Sequence, residues 1–254
     1  MDGFSPTVPH ARAIFTNRTM NFRSIGAVGF DMDYTLVHYH VDAWEGAAFE
    51  AARDILVADG LPVEDLVFDA TAFTRGLVLD LELGNVVKAN RFGYPKRAAH
   101  GMAMLPWRKH QELYSRVFVD LREPRWVFLN TLFSLSEACL FAQLVDRIDA
   151  GGLSQLKSYQ DAFRVISSAL YRVHTEGYVK RAVVEDFDAF IDRDAETPLA
   201  LLDLHHAGKK LALITNSGWA YTKAVMEYTF DPYLSGRSWR DLFDVVVVSA
   251  RKPS

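Results

Sequence analysis

A chain of 254 residues, half of them apolar and 24% charged, carries enough hydrophobic material for one large domain or for a core with a second domain inserted in it. A net charge of −4 without a basic stripe argues against a nucleic-acid partner. The single cysteine, Cys139, excludes an intrachain disulfide and fits a reducing compartment.

Residues 1–24 contain Pro6, Pro9, Arg12, Asn17 and Arg18 and no continuous apolar run, which excludes a secretory signal. Residues 1–22 read as an extended arm packed on the core or on a partner chain. Ile25 to Phe30 is a short apolar run with small residues, a buried strand. It stops at Asp31 and Asp33, one residue apart. Two carboxylates at the end of a buried strand repel each other and lose hydration unless a cation or a reacting group offsets the cost. A polar turn is the plainer alternative. The two carboxylates converge only if the chain turns at Met32, and Tyr34 to Val41 is expected to fold back over them.

Ala43 to Asp59 has helical spacing, with Gly60-Leu61-Pro62 as its stop. Leu77 to Leu83 alternates, meets Gly84-Asn85 and continues as Val86 to Ala89, a hairpin; Arg91 to Tyr94 reads as the next turn. Arg75 stands just before this hairpin, as either a local structural residue or a phosphate-side cation. Trp126 to Val145 is the one stretch worth testing as a membrane span. It carries Asn130, Ser134, Ser136, Glu137 and Gln143, too polar for a spanning helix of about 20 residues. It reads instead as a buried strand followed by a helix, with Cys139 as a small buried side chain.

Leu153, Leu156, Tyr159, Phe163, Ile166, Leu170 and Val173 fall at three- and four-residue intervals, an amphipathic helix ending at Gly177. A second helix is expected over Arg181 to Asp192 and a third over Pro198 to Ala207, stopped by Gly208. Lys210 to Ile214 is a second apolar strand, ending in Thr215-Asn216-Ser217, with helical sequence from Trp219 to Phe230. Phe243 to Val248 is a third strand, running into Ala250-Arg251-Lys252-Pro253.

Asp-x-Asp-x-Thr, then strand-Thr-Asn-Ser, then strand-x-Lys-Pro, in this order, resembles the haloacid dehalogenase superfamily of aspartate-nucleophile phosphatases. Phe30 to Leu36, Thr74-Arg75-Gly76-Leu77-Val78, Asn130-Thr131-Leu132-Phe133, Thr215-Asn216-Ser217 and Ala250 to Pro253 look like the cytosolic purine 5′-nucleotidases and their 5′-nucleotidase domain-containing relatives. The resemblance runs from about residue 22 to the end. It implies an α/β fold of haloacid dehalogenase type: a Rossmann-like parallel sheet core, incomplete at its C-terminal end. A large α+β cap would be inserted between the first and second core strands. The implied divisions are 1–36 (arm and first strand), 37–195 (cap) and 196–254 (remainder of the core). The superfamily's last acidic motif and fourth strand, which would lie beside the first, are absent. The 254 residues are therefore expected to be the N-terminal part of a longer polypeptide, with activity impaired in this chain alone.

The chemistry implied by the resemblance is Mg²⁺-dependent hydrolysis of nucleoside 5′-monophosphates through an aspartyl-phosphate. Asp31 would be the nucleophile and Asp33 the acid and base. Mg²⁺ would bind the Asp31 carboxylate and the Asp33 carbonyl. Thr215 and Asn216 would hold phosphate, and Lys252 would neutralise Asp31 and the transferring group. Phe133 would stack on the base, with His174 and Lys180 completing the nucleotide site. Ser134, Ser167, Tyr171 and Thr175 depart from the purine pattern, which leaves another small phosphate ester as an alternative substrate. A catalytically incompetent nucleotide- or protein-binding member is the other alternative. A cytoplasmic location, no membrane partner and a homo-oligomer complete the expectations.

Overall fold

The structure, a computed structural model, describes residues 21–129 and 134–252. Most of the arm, the segment with Phe133, and Pro253-Ser254 lie outside the described residues. In chain order the elements open with β1 (Ala27–Phe30), β2 (His38–Tyr39) and α1 (Val41–Ala58). Next come β3 (Leu77–Asp80), β4 (Asn85–Ala89), β5 (Pro95–His100), β6 (Ala103–Met104), α2 (Trp107–Tyr114), β7 (Trp126–Leu129) and α3 (Ser134–Asp149). The chain continues through α4 (Tyr159–Thr175), α5 (Tyr178–Glu185), α6 (Phe187–Phe190), β8 (Ile191–Asp192), α7 (Glu196–His206), β9 (Lys210–Ile214), α8 (Trp219–Phe230) and β10 (Val245–Val247). The protein is mixed α/β, with both parallel and antiparallel sheets.

Three strands far apart in sequence form one parallel sheet in the order β1-β9-β10. Ala27 pairs with Lys210 and Phe30 with Leu213, while Val245 to Val247 pair with Ala212 to Ile214. β1 is therefore an edge strand among the described residues, and its side chains alternate between exposed and half-buried. All the chain between residues 31 and 209 is accommodated between two neighbouring parallel strands. It leaves and returns side by side: Tyr39 of β2 pairs with Ile191 of β8, and His38 with Asp192, in a two-stranded antiparallel ribbon.

The intervening segment holds a five-stranded antiparallel sheet in the order β6-β5-β4-β3-β7. The β3–β4 hairpin turns at Gly84 (φ 66°), where the ring of Tyr159 would lie 2.9 Å from a Cβ. Only glycine meets both conditions. β3 is buried on both faces. Leu77 and Leu79 join the main core with α3, and Val78 packs with Val87, Ala98, Tyr114 and Trp126 in a second cluster on the far face. The main core runs without a break from Met32 and Leu36 through α1, α3, α4 and α5 to Leu211, Val225 and Phe243. Cys139 is fully buried in it, and burial pushes its thiol upward, away from the reactive thiolate.

Two helices differ from the sequence reading. α4 starts at Tyr159, not at Leu153: Ser158 accepts the Asp161 N–H through its hydroxyl and caps the helix. Leu153 and Leu156 keep the apolar spacing and are buried, but in the turn before the helix. The helix expected over 181–192 instead ends as α5 at Glu185. Asp186 adopts φ −147° and ψ 82°, and its carboxylate accepts the Ala189 N–H to start α6.

Candidate active site

The site forms where the carboxyl ends of the parallel strands meet α4 and α5. Past β1 the chain turns at Met32, as the convergence of the two aspartates requires. The Met32 carbonyl accepts the N–H groups of Thr35, Leu36 and Val37, and the Tyr34 N–H donates to the Val37 carbonyl at 2.8 Å. Tyr34 takes a left-handed φ of 58° to make this turn, a conformation that costs a non-glycine residue about 1 kcal/mol or more. Met32 is fully buried beneath it, and burial of such a side chain contributes roughly 1.5–3 kcal/mol, enough to offset that cost. Packing thus holds the turn, and the turn brings Asp31 and Asp33 to one pocket.

That pocket has a volume of about 440 Å³, and Asp31, Asp33, His174, Lys180, Asn216 and Lys252 line it, with Tyr34, Trp44 and Ser217 among its other walls. Six of the eight residues expected at the site meet there. Lys252 places its ammonium 2.5 Å from Asp31 Oδ1 and also donates to the Ile214 carbonyl at 2.8 Å. The Met32 N–H donates to the same Asp31 oxygen at 2.8 Å. Ser249 and Arg251, in the loop carrying Lys252, have left-handed φ values of 51° and 52°. Like Tyr34, they are strained residues beside charged groups.

Asn216 faces the pocket, and its side-chain carbonyl accepts the Lys252 N–H at 2.9 Å, which ties the lysine loop to the end of β9. Thr215 is fully buried, and its hydroxyl accepts the Ser217 N–H at 3.0 Å. It supports the turn from below, and Ser217 reaches the pocket in its place. Phe133 lies outside the described residues. Arg75 is exposed, and its carbonyl accepts a hydrogen bond from Lys88 Nζ at 2.5 Å; its charge is felt by Tyr34 and Glu45.

His174 and Lys180 come from two helices joined by Gly177, whose φ of 72° lets α4 end and α5 begin within two residues. The His174 ring keeps solvent contact, yet desolvation by its neighbours and the charge of Lys180 hold the imidazole below its usual range. Ser167 donates to Glu137 at 3.3 Å and Tyr171 is 70% exposed.

Sequence reasoning gave no role to two residues that grip Asp33 or to a third that backs one of them. The Tyr39 hydroxyl donates to Asp33 Oδ1 at 2.7 Å, and the Ser217 hydroxyl donates to Oδ2 at 2.7 Å. Behind Tyr39, the hydroxyl of Tyr221 lies 2.9 Å away. Ser217 stood inside a motif already singled out and could have been found. Tyr221 is 182 residues from Tyr39, and no local pattern links them.

Fold and site together define a class: an α/β protein with paired aspartates and a partnered lysine at the carboxyl ends of parallel strands, where open sheets of this kind bind ligands. Residues 14–254 match the model of the 5' nucleotidase family. The chain is 31% identical over 260 aligned positions to 5'-nucleotidase domain-containing protein 2 of Rattus norvegicus, covering 95% of this chain and 45% of that protein. It is 31% identical to the Homo sapiens protein of the same name, again over 95% of this chain, and 48% of the relative. The chain belongs to the 5' nucleotidase family, and it spans about half the length of these relatives. Among the described residues no helix is long and apolar enough to cross a membrane.

Proposed function

We propose that this chain carries the phosphohydrolase site of a Mg²⁺-dependent 5′-nucleotidase with a haloacid dehalogenase core, in which residues 37–195 form the cap. Family membership supports hydrolysis of a phosphate monoester. One observation carries the residue assignment: Asp31 and Asp33 face a single pocket, and only Asp31 pairs with Lys252, at 2.5 Å. The environments of the two acids therefore differ, as their roles require.

In this reading Asp31 attacks phosphorus. The lysine pairs with its carboxylate and offsets charge on the phosphoryl oxygens. Asp33 protonates the leaving oxygen and later takes the proton of the attacking water. Lys180 and Asn216 hold the phosphate, with His174 beside them. Thr215 is assigned a supporting part, through the turn that presents Asn216 and Ser217.

The donor set suits Mg²⁺, which takes one or two carboxylates and fills its remaining positions with water and substrate phosphate. The Asp31 side chain is 44% exposed and accessible to such an ion. Among the described residues no group of three or more His, Cys, Asp or Glu gathers to hold a metal, so a sparse set of this kind is the one available. Asp31 would offer a carboxylate oxygen and Asp33 its carbonyl. When bound, the cation would neutralise charge on the transferring phosphoryl group.

In this reading the ester is a nucleoside 5′-monophosphate, which membership of the 5' nucleotidase family supports. Ser167 and Tyr171 do not line the pocket, which favours testing a non-nucleotide ester as well. The test is phosphate release with Mg²⁺ from a panel of nucleoside 5′-monophosphates and sugar phosphates. Slow but measurable turnover of nucleotides by this chain is the expected result. Preference for a sugar phosphate replaces the substrate, and no release from any ester while nucleotides still bind replaces the enzyme with a binding protein.

A further inference from the structure

Tyr39 is buried and does not line the pocket, so it cannot touch a substrate. Its one hydroxyl proton goes to Asp33, so the short contact with Tyr221 must be a donation from Tyr221 to Tyr39. On the other oxygen, Ser217 donates its proton to Asp33 and must accept at its own oxygen, and Lys180 Nζ stands 3.0 Å from it. Two donor chains, Tyr221–Tyr39 and Lys180–Ser217, thus converge on the two oxygens of one carboxylate. The Lys180 ammonium lies 5.1 Å from the centre of the Tyr221 ring and closes the loop. The Tyr39 ring is itself fixed, with ring centres of Tyr34 and Trp44 at 5.1 and 4.6 Å. A carboxyl group held at one oxygen can swing about its bond; held at both by rigid donors, it keeps one plane.

We propose that Tyr39 is a positioning residue for proton delivery by Asp33, with Tyr221 behind it and Ser217 opposite. The inference rests on the hydrolase reading above. As the bond from Asp31 to phosphorus forms and the phosphorus–ester oxygen bond breaks, the electron pair stays on the leaving oxygen. That oxygen takes the proton of the Asp33 carboxylic acid. Asp33 is left as a carboxylate that accepts from Tyr39 and Ser217. Water then attacks phosphorus, its proton passes to Asp33, and the Asp31–phosphorus bond breaks to restore both acids.

An alkoxide leaving group needs that proton, whereas 4-nitrophenolate departs without it. The test is Tyr39→Phe, assayed with Mg²⁺ on a nucleoside 5′-monophosphate and on 4-nitrophenyl phosphate. General acid–base catalysis contributes roughly 10²–10⁴-fold. Loss of its aim is expected to lower kcat/KM, which reports only the steps through leaving-group departure, by about 10- to 100-fold on the nucleotide and by less than about threefold on the aryl ester. Tyr221→Phe should show the same selectivity with a smaller loss. Equal losses on both esters, or none on either, overturn the inference and leave Tyr39 a buried hydroxyl with a convenient partner. A parent protein that turns over neither ester overturns the hydrolase reading itself. A crystal structure of Tyr39→Phe supplies a readout independent of turnover: the Asp33 carboxyl should rotate while the Met32 turn stays in place, and an unmoved carboxyl contradicts the proposal.

Discussion

Lys252 and Asp31, 221 residues apart in the chain, stand 2.5 Å apart at the carboxyl ends of β10 and β1, with β9 between those strands. The pair is open to water, its side chains 32% and 44% exposed, and ion pairs of that kind contribute about 0–1 kcal/mol to stability. On the proposed reading their proximity has more to do with chemistry than with folding.

Replacing Lys252 by methionine separates those two roles. The urea midpoint should change by less than the equivalent of about 1 kcal/mol. Phosphate release should fall by about 100-fold or more, the scale at which preorganised charge stabilisation acts. Denaturation curves and initial rates on the same preparation check both. A large stability loss with modest loss of rate would make Lys252 a structural residue.

A different ion pair holds the antiparallel sheet. Asp80 is fully buried, and Arg125 grips it with two hydrogen bonds of 2.9 and 2.6 Å while the Tyr114 hydroxyl donates at 2.9 Å. Arg125→Ala leaves a buried carboxylate without its countercharge and should destabilise the protein by about 3–5 kcal/mol. Chemical denaturation measures this directly. An Arg125→Ala protein as stable as the parent would mean that water reaches Asp80.

Glu45 gives a pH test. It is fully buried on α1 and accepts the Ser136 N–H at the start of α3, and burial pushes its carboxyl above the ordinary 4.5. The folded state therefore holds this proton more tightly than the unfolded state. Stability contributed by the protonated form is present at and below about pH 4.5 and is lost as pH rises through the raised value. Glu45→Gln removes this dependence. The difference in urea midpoint between parent and variant should thus move in the variant's favour as pH rises from 4.5 to 7, and a flat difference would contradict the burial argument.

The positions of the three strands, the hairpin and the helix from Trp219 to Phe230 were legible in the sequence, because apolar runs and glycine turns are local signals. Ile25 to Phe30, however, reads as a buried strand, whereas β1, at the sheet edge among the described residues, is exposed to half-buried. The meeting of Asp31, Asp33, His174, Lys180, Asn216 and Lys252 was legible only through family resemblance. Nothing in the spacing of those residues says that β1, β9 and β10 are neighbours. The Tyr39 side of the grip on Asp33 was not legible at all. Tyr39 looks like one more aromatic in a short mixed segment, and its meaning depends on a partner on α8 and on a ribbon with β8. The start of α4 failed for a related reason: burial of Leu153 and Leu156 mimics helical spacing, and Ser158 decides where the helix begins.

The central claim is that Asp31 carries the phosphoryl group. Protein quenched during turnover of a nucleoside 5′-monophosphate with Mg²⁺ can be reduced with borohydride, which converts an aspartyl-phosphate to homoserine, and then digested for peptide mass spectrometry. The expected result is homoserine at position 31, absent without substrate and absent in Asp31→Asn, which should release no phosphate. Phosphate release at the parent rate from Asp31→Asn, or conversion at another acid, would contradict the account.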